Sequence, residues 1–365
     1  TPGLYHISNA NEVAPRYDKM ERELNSVFGT AQIGYKNFLF LDVTGRNDWS
    51  SVLGVNNYSF FYPSVSTSFV FTDAFNINSS VLTYGKLRAG YAEVGNGSNA
   101  YLTSIGYVNS IQTINGQGMA SVQTRIPNPN LKNELTKSYE FGTDIRLFNN
   151  RVGLDLTYYK ASAQNQILPV DISSATGFSS MVINAGEITN EGVEAMLNVS
   201  PIDIKNGLRW DITFNFARNK SKVVSLAEGI ETHELSRDRW GTIEARPGND
   251  FGNIVGWYWK RNEDGEKLLD GNGRYQRDGN EVKVLGNIQP DWLAGINNQI
   301  SYKGFTLSAL IDIKMGGELL SGTKYIQAAR GTGRFTTEGI YQNEDGLWVG
   351  IADGVMGEDY YVDDG

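Results

Sequence analysis

The sequence predicts an all-β fold, an antiparallel sheet forming part of a transmembrane β-barrel, on three observations. Apolar and polar residues alternate with a period of two in ten tracts between residues 24 and 316. The tracts reach about ten residues or more, near the ~9–11 that cross a bilayer at a tilt, whereas strands of soluble proteins peak near ~5–6. Short connections also alternate strictly with long ones, as in barrels that place tight turns on one membrane side and loops on the other.

The first tract, Leu24 to Tyr35, sets Val27, Gly29, Ala31, Ile33 and Tyr35 on one face and Thr30, Gln32 and Lys36 on the other. The second sets Leu39, Leu41 and Val43 against Asp42, Thr44 and Arg46. Phe61, Val65, Phe69 and Phe71 oppose Ser64, Ser66 and Ser68 in the third, and Leu87, Ala89 and Tyr91 oppose Lys86 and Arg88 in the fourth. Tracts five and six form the clearest hairpin. Tyr139, Phe141, Ile145 and Leu147 face away from Glu140, Asp144 and Arg146; Val152, Leu154, Leu156 and Tyr158 then face away from Asp155 and Thr157. The seventh carries Val193, Ala195, Leu197 and Val199 against Glu194 and Asn198. Leu208, Trp210, Ile212, Phe214 and Phe216 mark the eighth, and Ala294, Ile296, Ile300 and Tyr302 the ninth. In the tenth, Phe305, Leu307, Ala309, Ile311, Ile313 and Met315 face away from Asp312 and Lys314. Pro63 lacks an N–H for the ladder, so a bulge or local irregularity is expected there.

Short turns are expected at Lys36-Asn37, Asn149-Asn150, Ile204 to Gly207 and Lys303-Gly304, with a slightly longer one at Asp73 to Ser80. The long excursions cover about 47–59, 95–134, 167–187, 222–290 and 317 onward. Tyr35, Phe38, Phe148, Tyr302 and Phe305 gather beside the short turns, as in an interfacial girdle. A soluble β-sandwich shows the same alternation, with its apolar faces in a shared core. Tract length, loop alternation and the girdle favour the membrane. So do Gly29, Ala31 and Gly45 on the apolar face, where fluid lipid fills the gaps they leave.

Composition agrees. Of 365 residues 40% are hydrophobic and 20% charged, with 41 glycines and 19 tyrosines, which favours strands and turns over disorder. No window approaches the ~18 consecutive apolar residues of a membrane helix; a closed barrel is the other structure that satisfies its backbone in lipid. The absence of cysteine excludes disulfides and thiolate metal sites, and a net charge of −9 argues against nucleic acid as partner. No charged and then apolar leader opens the chain. With short turns toward the periplasm, the first tract starts outside and the tenth ends outside, and a sheet of ten strands would leave two membrane-embedded edges. Residues 1–365 are therefore expected to form one partial barrel domain, with the closing C-terminal strands not present in it.

Several stretches resemble the SusC/RagA branch of TonB-dependent outer-membrane transporters. They are Gly45-Arg46-Asn47-Asp48-Trp49-Ser50-Ser51, Phe61-Tyr62-Pro63-Ser64-Val65-Ser66, Lys86-Leu87-Arg88-Ala89-Gly90-Tyr91 with Val94-Gly95-Asn96, and Asn128-Pro129-Asn130-Leu131-Lys132 with Glu134 and Lys137. Thr189-Asn190-Glu191-Gly192-Val193-Glu194 follows. Leu285-Gly286-Asn287, Pro290-Asp291-Trp292, Tyr302-Lys303-Gly304-Phe305 and Gly316-Gly317 complete the set. Each is weak alone; the ordered set, over most of residues 24 to 320, is specific. As chemistry these motifs are turn and strand-end residues. The resemblance implies a 22-stranded barrel in the outer membrane of a Gram-negative bacterium, plugged by an N-terminal domain that is not expected within residues 1–365 and opened by energy from the TonB complex acting on that plug. It also implies a SusD-like surface lipoprotein over the mouth and an oligosaccharide or peptide as cargo.

No enzyme is expected. His6 and His233 are the only histidines and lie far apart, which gives a triad or a histidine metal site little support. No cofactor is expected, with calcium as a minor alternative. Asp264, Asp270, Asn272 and Asp278 lie in a run that resembles a calcium loop, with Glu281 twelfth from Asp270, but Arg274 and Tyr275 stand where a ligand and a glycine are needed. Asp-Gly and Asn-Gly hairpin turns explain the run more simply. The acidic end (Asp345, Glu358, Asp359, Asp363, Asp364) reads as a solvated loop.

Substrate contacts are expected from inward polar residues at the outer strand ends and from loop aromatics: Arg46, Asp48, Trp49, Arg88, Glu93, Asn96, Trp257, Tyr258 and Trp259. Trp49 and Trp292 read better as girdle or loop-packing residues. The leading functional expectation is import of an oligomeric nutrient across the bilayer. The alternatives are a siderophore or cobalamin receptor and, in a different class, a soluble or surface β-rich glycan-binding protein.

Overall fold

The computed structural model describes residues 19–114, 117–237, 241–265, 268, 276, 282–330, 341–342 and 348–349. Ten long strands occur where the alternation places them: β1 (Leu24–Tyr35), β2 (Leu39–Ser50), β3 (Ser59–Val70), β4 (Leu82–Asn96), β5 (Glu134–Leu147), β6 (Val152–Gln164), β7 (Glu187–Asp203), β8 (Leu208–Ser225), β9 (Pro290–Tyr302) and β10 (Phe305–Gly316). They follow one another in a ten-stranded sheet in chain order, so β1 and β10 each have one neighbour in it.

The chain divides into two compact units. One takes in the described residues up to Asn78, Gly85–Gly142 and Tyr159–Glu187; the other takes in Ser79–Tyr84, Thr143–Tyr158 and Ile188 onward.

In the first unit β1 pairs antiparallel with β2 from Leu24↔Ser50 to Tyr35↔Leu39, and β2 with β3 from Leu39↔Phe69 to Trp49↔Ser59. This register aligns Ala31, Val43 and Val65 on one face and Gln32, Asp42 and Ser66 on the other. In the second unit β8 pairs with β9 and β9 with β10, aligning Phe214, Ile296 and Ile311 in the same way. The apolar faces are not packed under a second layer. Val27 is 65% exposed, Ile33 62%, Phe61 61%, Phe141 55% and Leu307 70%. A sandwich would bury these side chains; a wall against lipid leaves them outside. The opposite face is joined by polar contacts, such as Gln32 Nε2 to Asp42 Oδ1 (2.7 Å) and Thr213 Oγ1 to Asn198 Oδ1 (2.9 Å).

The tight turns run through left-handed backbone: Lys36 (φ 47°), Asn37 (58°), Asn149 (55°), Asn150 (67°), Asn206 (60°), Lys303 (45°) and Gly304 (88°). Two-residue hairpins need positive φ to match strand twist, which explains the asparagines and the glycine. Tyr35, Phe38, Phe69 and Phe75 touch edge to face in sequence at 5.6, 6.1 and 6.0 Å beside the first two turns.

Of the bulge or irregularity expected at Pro63, the bulge is absent: the β2–β3 register runs unbroken through Gly45↔Pro63. The irregularity lies on the other side, where the ladder from β3 to β4 ends at Ser64↔Ala92, one residue short of the proline that has no N–H to continue it. A second expectation is corrected. Phe71 does not extend β3 but opens a helical turn, Phe71–Ala74, that carries the chain toward β4.

The long connections are folded. In the first unit Val52, Leu53, Ala100, Leu131 and Val182 form a buried cluster with Phe60, Leu102 and Ile167 against it. Ile167–Asp171 pairs antiparallel with Ser180–Asn184, which pairs parallel with Arg125–Ile126. In the second unit His233–Arg237, Thr242–Ala245, Asn253–Gly256 and Lys283–Asn287 make a four-stranded sheet, and Val223, Ala245, Ile254 and Val255 are buried.

Candidate functional site

A dense group of polar contacts on the sheet's polar face lies at the loop end of β2 and β3. Strand alternation puts Arg46 and Asp48 on one face, and the register sets Tyr62 opposite Arg46 and Ser26 opposite Asp48. Asp48 is 3% exposed. Its Oδ1 accepts from Arg46 Nε (2.7 Å), and its Oδ2 accepts from Arg46 Nη2 (3.3 Å) and from the Tyr62 hydroxyl. Arg46 Nη2 also donates to Ser26 Oγ at 3.0 Å. A buried carboxylate is retained when several donors satisfy it, and here three donor groups on two side chains, Arg46 and Tyr62, do so.

Arg46, Asp48 and Tyr62 line a cavity of about 310 Å³ with Leu24, Ser50, Phe60, Asn96 and Ser98. The Phe60 and Tyr62 rings stack at 5.8 Å, and Arg46 lies 5.9 Å from the Tyr62 centroid. The Arg46 side chain is 41% exposed. Asn96 Nδ2 donates to Glu134 Oε2 (3.0 Å), while Glu134 Oε1 accepts the Ile167 N–H (2.9 Å), tying the cavity rim to a folded loop. The wall therefore offers a held guanidinium, ring faces and hydroxyl and amide groups. Such a surface presents hydrogen-bonding groups beside stacking faces.

The structure brings Arg46, Asp48 and Asn96 together, and separates the rest. Arg88 lies on the polar face but crosses the neighbouring strand: a Cβ at Gly142 would stand 2.4 Å from its Nε, and Glu140 Oε1 is 3.9 Å away. Trp49 is in line with Asn47 and Asn25, on the face opposite Asp48. Glu93 also leaves the set. It accepts from the Tyr91 hydroxyl and lies 3.8 Å from Lys137 Nζ. Tyr91 is paired with Val65 and packs on Tyr139 at 4.9 Å, so Glu93 extends the apolar face.

Trp257, Tyr258 and Trp259 form no common platform. Trp257 is 48% exposed, Trp259 is 6% exposed, and Lys283 Nζ covers the Tyr258 ring at 3.8 Å. Asp264 sits in a turn closed by Asn262, whose Oδ1 accepts the Asp264 N–H at 3.0 Å. Asp270, Asn272, Asp278, Glu281, His6 and the acidic end lie outside the described residues. Phe60 and Tyr62 were missed as site residues. Their signal was present: two aromatics on the same face as Ser64, Ser66 and Ser68.

Two of the stretches that carry the resemblance, Asn128–Lys132 and Leu285–Asn287, are clasps between loops. Asn128 N–H donates to Leu102 O (2.9 Å), and Asn130 N–H to Asn128 Oδ1 (3.0 Å). Asn184 exchanges hydrogen bonds with the Lys132 backbone, at 2.7 and 2.8 Å, and donates to Asn165 O at 3.0 Å. Gly54 approaches so closely that a Cβ would lie 2.0 Å from Pro129 O. In the second unit Asn287 donates through Nδ2 to Phe251 O (3.1 Å) and Asn253 Oδ1 (2.8 Å). Its backbone N–H donates to Glu318 Oε2 (2.7 Å) and its carbonyl accepts from Glu318 N–H (2.8 Å), just past the left-handed Gly316 and Gly317.

The family model described as TonB dependent receptor-like, beta-barrel, matches residues 2–359. TonB-dependent receptor P3 of Formosa agariphila is 30% identical over 333 residues, covering 83% of this chain and 33% of that protein. TonB-dependent receptor SusC of Bacteroides thetaiotaomicron is 24% identical over 361 residues, covering 93% of this chain and 36% of that protein. Among solved structures, the RagAB peptide transporter matches with a TM-score of 0.72 at 21% identity, over 84% of this chain and 34% of that one. The chain thus spans about a third of the length of the curated relatives it matches.

Proposed function

The chain belongs to the TonB-dependent receptor-like β-barrel family of the outer membrane, and from that membership we propose that the whole protein imports an oligomeric nutrient, an oligosaccharide or a peptide. The observation that carries this reading is the two-faced sheet, with apolar side chains exposed on one side and the Arg46–Asp48–Tyr62 cavity on the other. A lipid-facing wall with a polar inner lining is the architecture of a passage.

The branch resembling SusC and RagA is favoured because the relatives include SusC and the fold matches a transporter described as importing peptides. On this reading a SusD-like surface lipoprotein covers the mouth and the TonB complex supplies energy. Arg46, Tyr62 and Asn96 contact cargo, while Asp48 positions Arg46. Catalysis has no role in this scheme.

The test is uptake of labelled oligosaccharides and peptides by cells carrying the full protein, its deletion, or the Arg46→Ala/Tyr62→Ala variant. Deletion should abolish uptake of one oligomer class, and the variant should weaken binding by roughly tenfold, the loss of one charge-assisted contact. Unchanged uptake of every oligomer after deletion would sink the import reading. A variant with wild-type affinity would remove this cavity from the cargo path.

A further inference from the structure

We propose that the tight turns at Lys36 and Lys303 are binding sites for the headgroups of anionic phospholipids in the leaflet they face. The inference rests on reading the strands as a membrane wall. One four-residue pattern closes two hairpins: Tyr35-Lys36-Asn37-Phe38 between β1 and β2, and Tyr302-Lys303-Gly304-Phe305 between β9 and β10.

In each, lysine takes a left-handed backbone, φ 47° and 45°, at a position that turn chemistry alone would give to asparagine or glycine. In each, the ammonium stands 5.3 Å from the centroid of the preceding tyrosine ring. Neither ammonium has a carboxylate within ion-pair distance among the described residues. Three arginines along the strands do: Arg46 with Asp48 and Arg209 with Asp211, both at 2.7 Å, and Arg146 with Asp144 at 3.5 Å. The exposed Arg151 and Lys205, in two further tight turns, also lack a carboxylate partner among the described residues.

The apolar surroundings set the height. Tyr35 and Tyr302 end apolar faces and are about half exposed, and Phe305 is 82% exposed. Tyrosine and phenylalanine at this level seat in the boundary of a bilayer, and a lysine one residue further reaches the phosphate plane. A cation without a carboxylate partner, held at that plane over an aromatic ring, complements an anionic phosphodiester. Each basic residue near such a surface strengthens binding about fivefold.

The test uses the full-length protein in nanodiscs of phosphatidylethanolamine with a minority of phosphatidylglycerol, and counts retained lipid by native mass spectrometry. Wild type should retain phosphatidylglycerol above its bulk share. Lys36→Asn/Lys303→Asn, which keeps turn-compatible residues, should lose about fivefold in retention per lysine, and Lys36→Arg/Lys303→Arg should restore it. No enrichment by wild type, or equal retention by the asparagine variant, overturns the proposal while leaving the wall intact. Failure of the protein to enter the discs at all overturns both.

Discussion

The strands of the first unit and the loops that join them are stabilised in opposite ways. On the apolar face of β1 to β3 the side chains touch solvent over a third to two-thirds of their surface: Val27, Ile33, Phe61 and Val65 have no second layer. Leu131, by contrast, is 0% exposed, inside a cluster assembled from several separate loops. The wall needs only apolar character on alternate positions, because fluid lipid adapts to any shape. The loop cluster needs particular residues, because protein interiors are close-packed and do not adapt. Substitution should therefore be tolerated by chemistry in the wall and by shape in the loops.

The largest break is expected at Gly54. A valine there places its Cβ 2.0 Å from the Pro129 carbonyl oxygen, which is backbone and cannot swing away. The clasp must open, at roughly 3 kcal/mol or more. Cleavage within residues 97–106 by an added protease should accelerate on the order of a hundredfold, while the barrel keeps its heat-modifiable migration on gels. Unchanged cleavage would show that the loops do not depend on this approach.

Leu131→Ala should follow, removing a fully buried side chain at about 2–4 kcal/mol of loop stability. Leu87→Ala on the lipid face, where leucine is 50% exposed, leaves no protein cavity and should leave loop cleavage unchanged. If both substitutions behave alike, the contrast between wall and loops is wrong.

For the wall, Val65 aligns with Val43 and Tyr91 in mid-strand. Val65→Arg should destabilise the refolded protein in lipid by roughly 2–4 kcal/mol, the range for arginine near the bilayer midplane. Val65→Ile should change little. A matching unfolding series in lipid vesicles checks this, and equal midpoints for the two variants would mean that Val65 does not face lipid.

The same contrast explains what could be read from the chain alone. All ten strands were legible, since period-two alternation is written locally and turn residues punctuate it. β1 fell on Leu24–Tyr35 as expected. The loop clusters were not legible. Val52, Leu53, Leu131 and Val182 show no period, and Arg125–Ile126 meets its partner strand more than fifty residues later. The Asn128–Lys132 and Leu285–Asn287 stretches were visible as turn chemistry, but their clasp roles depend on Asn184 and Glu318, distant in sequence. Within the site, parity puts Arg46 and Asp48 on one face, as the register does. It misplaced Glu93 because that residue continues the alternation of Leu87, Ala89 and Tyr91. Adjacency misled at Trp257 to Trp259, where the chain leaves the strand and neighbouring rings part.

The smallest effect sharpens the comparison within the wall itself. Arg46-Xaa-Asp48 and Arg209-Xaa-Asp211 are the same local pair, each with an Nε–Oδ contact of 2.7 Å and a serine beside it. They differ in surroundings: the Asp48 side chain is 5% exposed and also receives the Tyr62 hydroxyl, whereas the Asp211 side chain is 28% exposed. Asp48→Asn replaces a buried acceptor of three donors with a group that must turn an N–H toward one of them, which should weaken the fold by roughly 2 kcal/mol. Asp211→Asn leaves its partners open to water, and water replaces the lost acceptor. Unfolding midpoints of the two variants in one lipid should therefore separate, with only Asp48→Asn displaced from wild type. Equal displacement would mean that local pairing, rather than burial among β1, β2 and β3, sets the strength of these contacts.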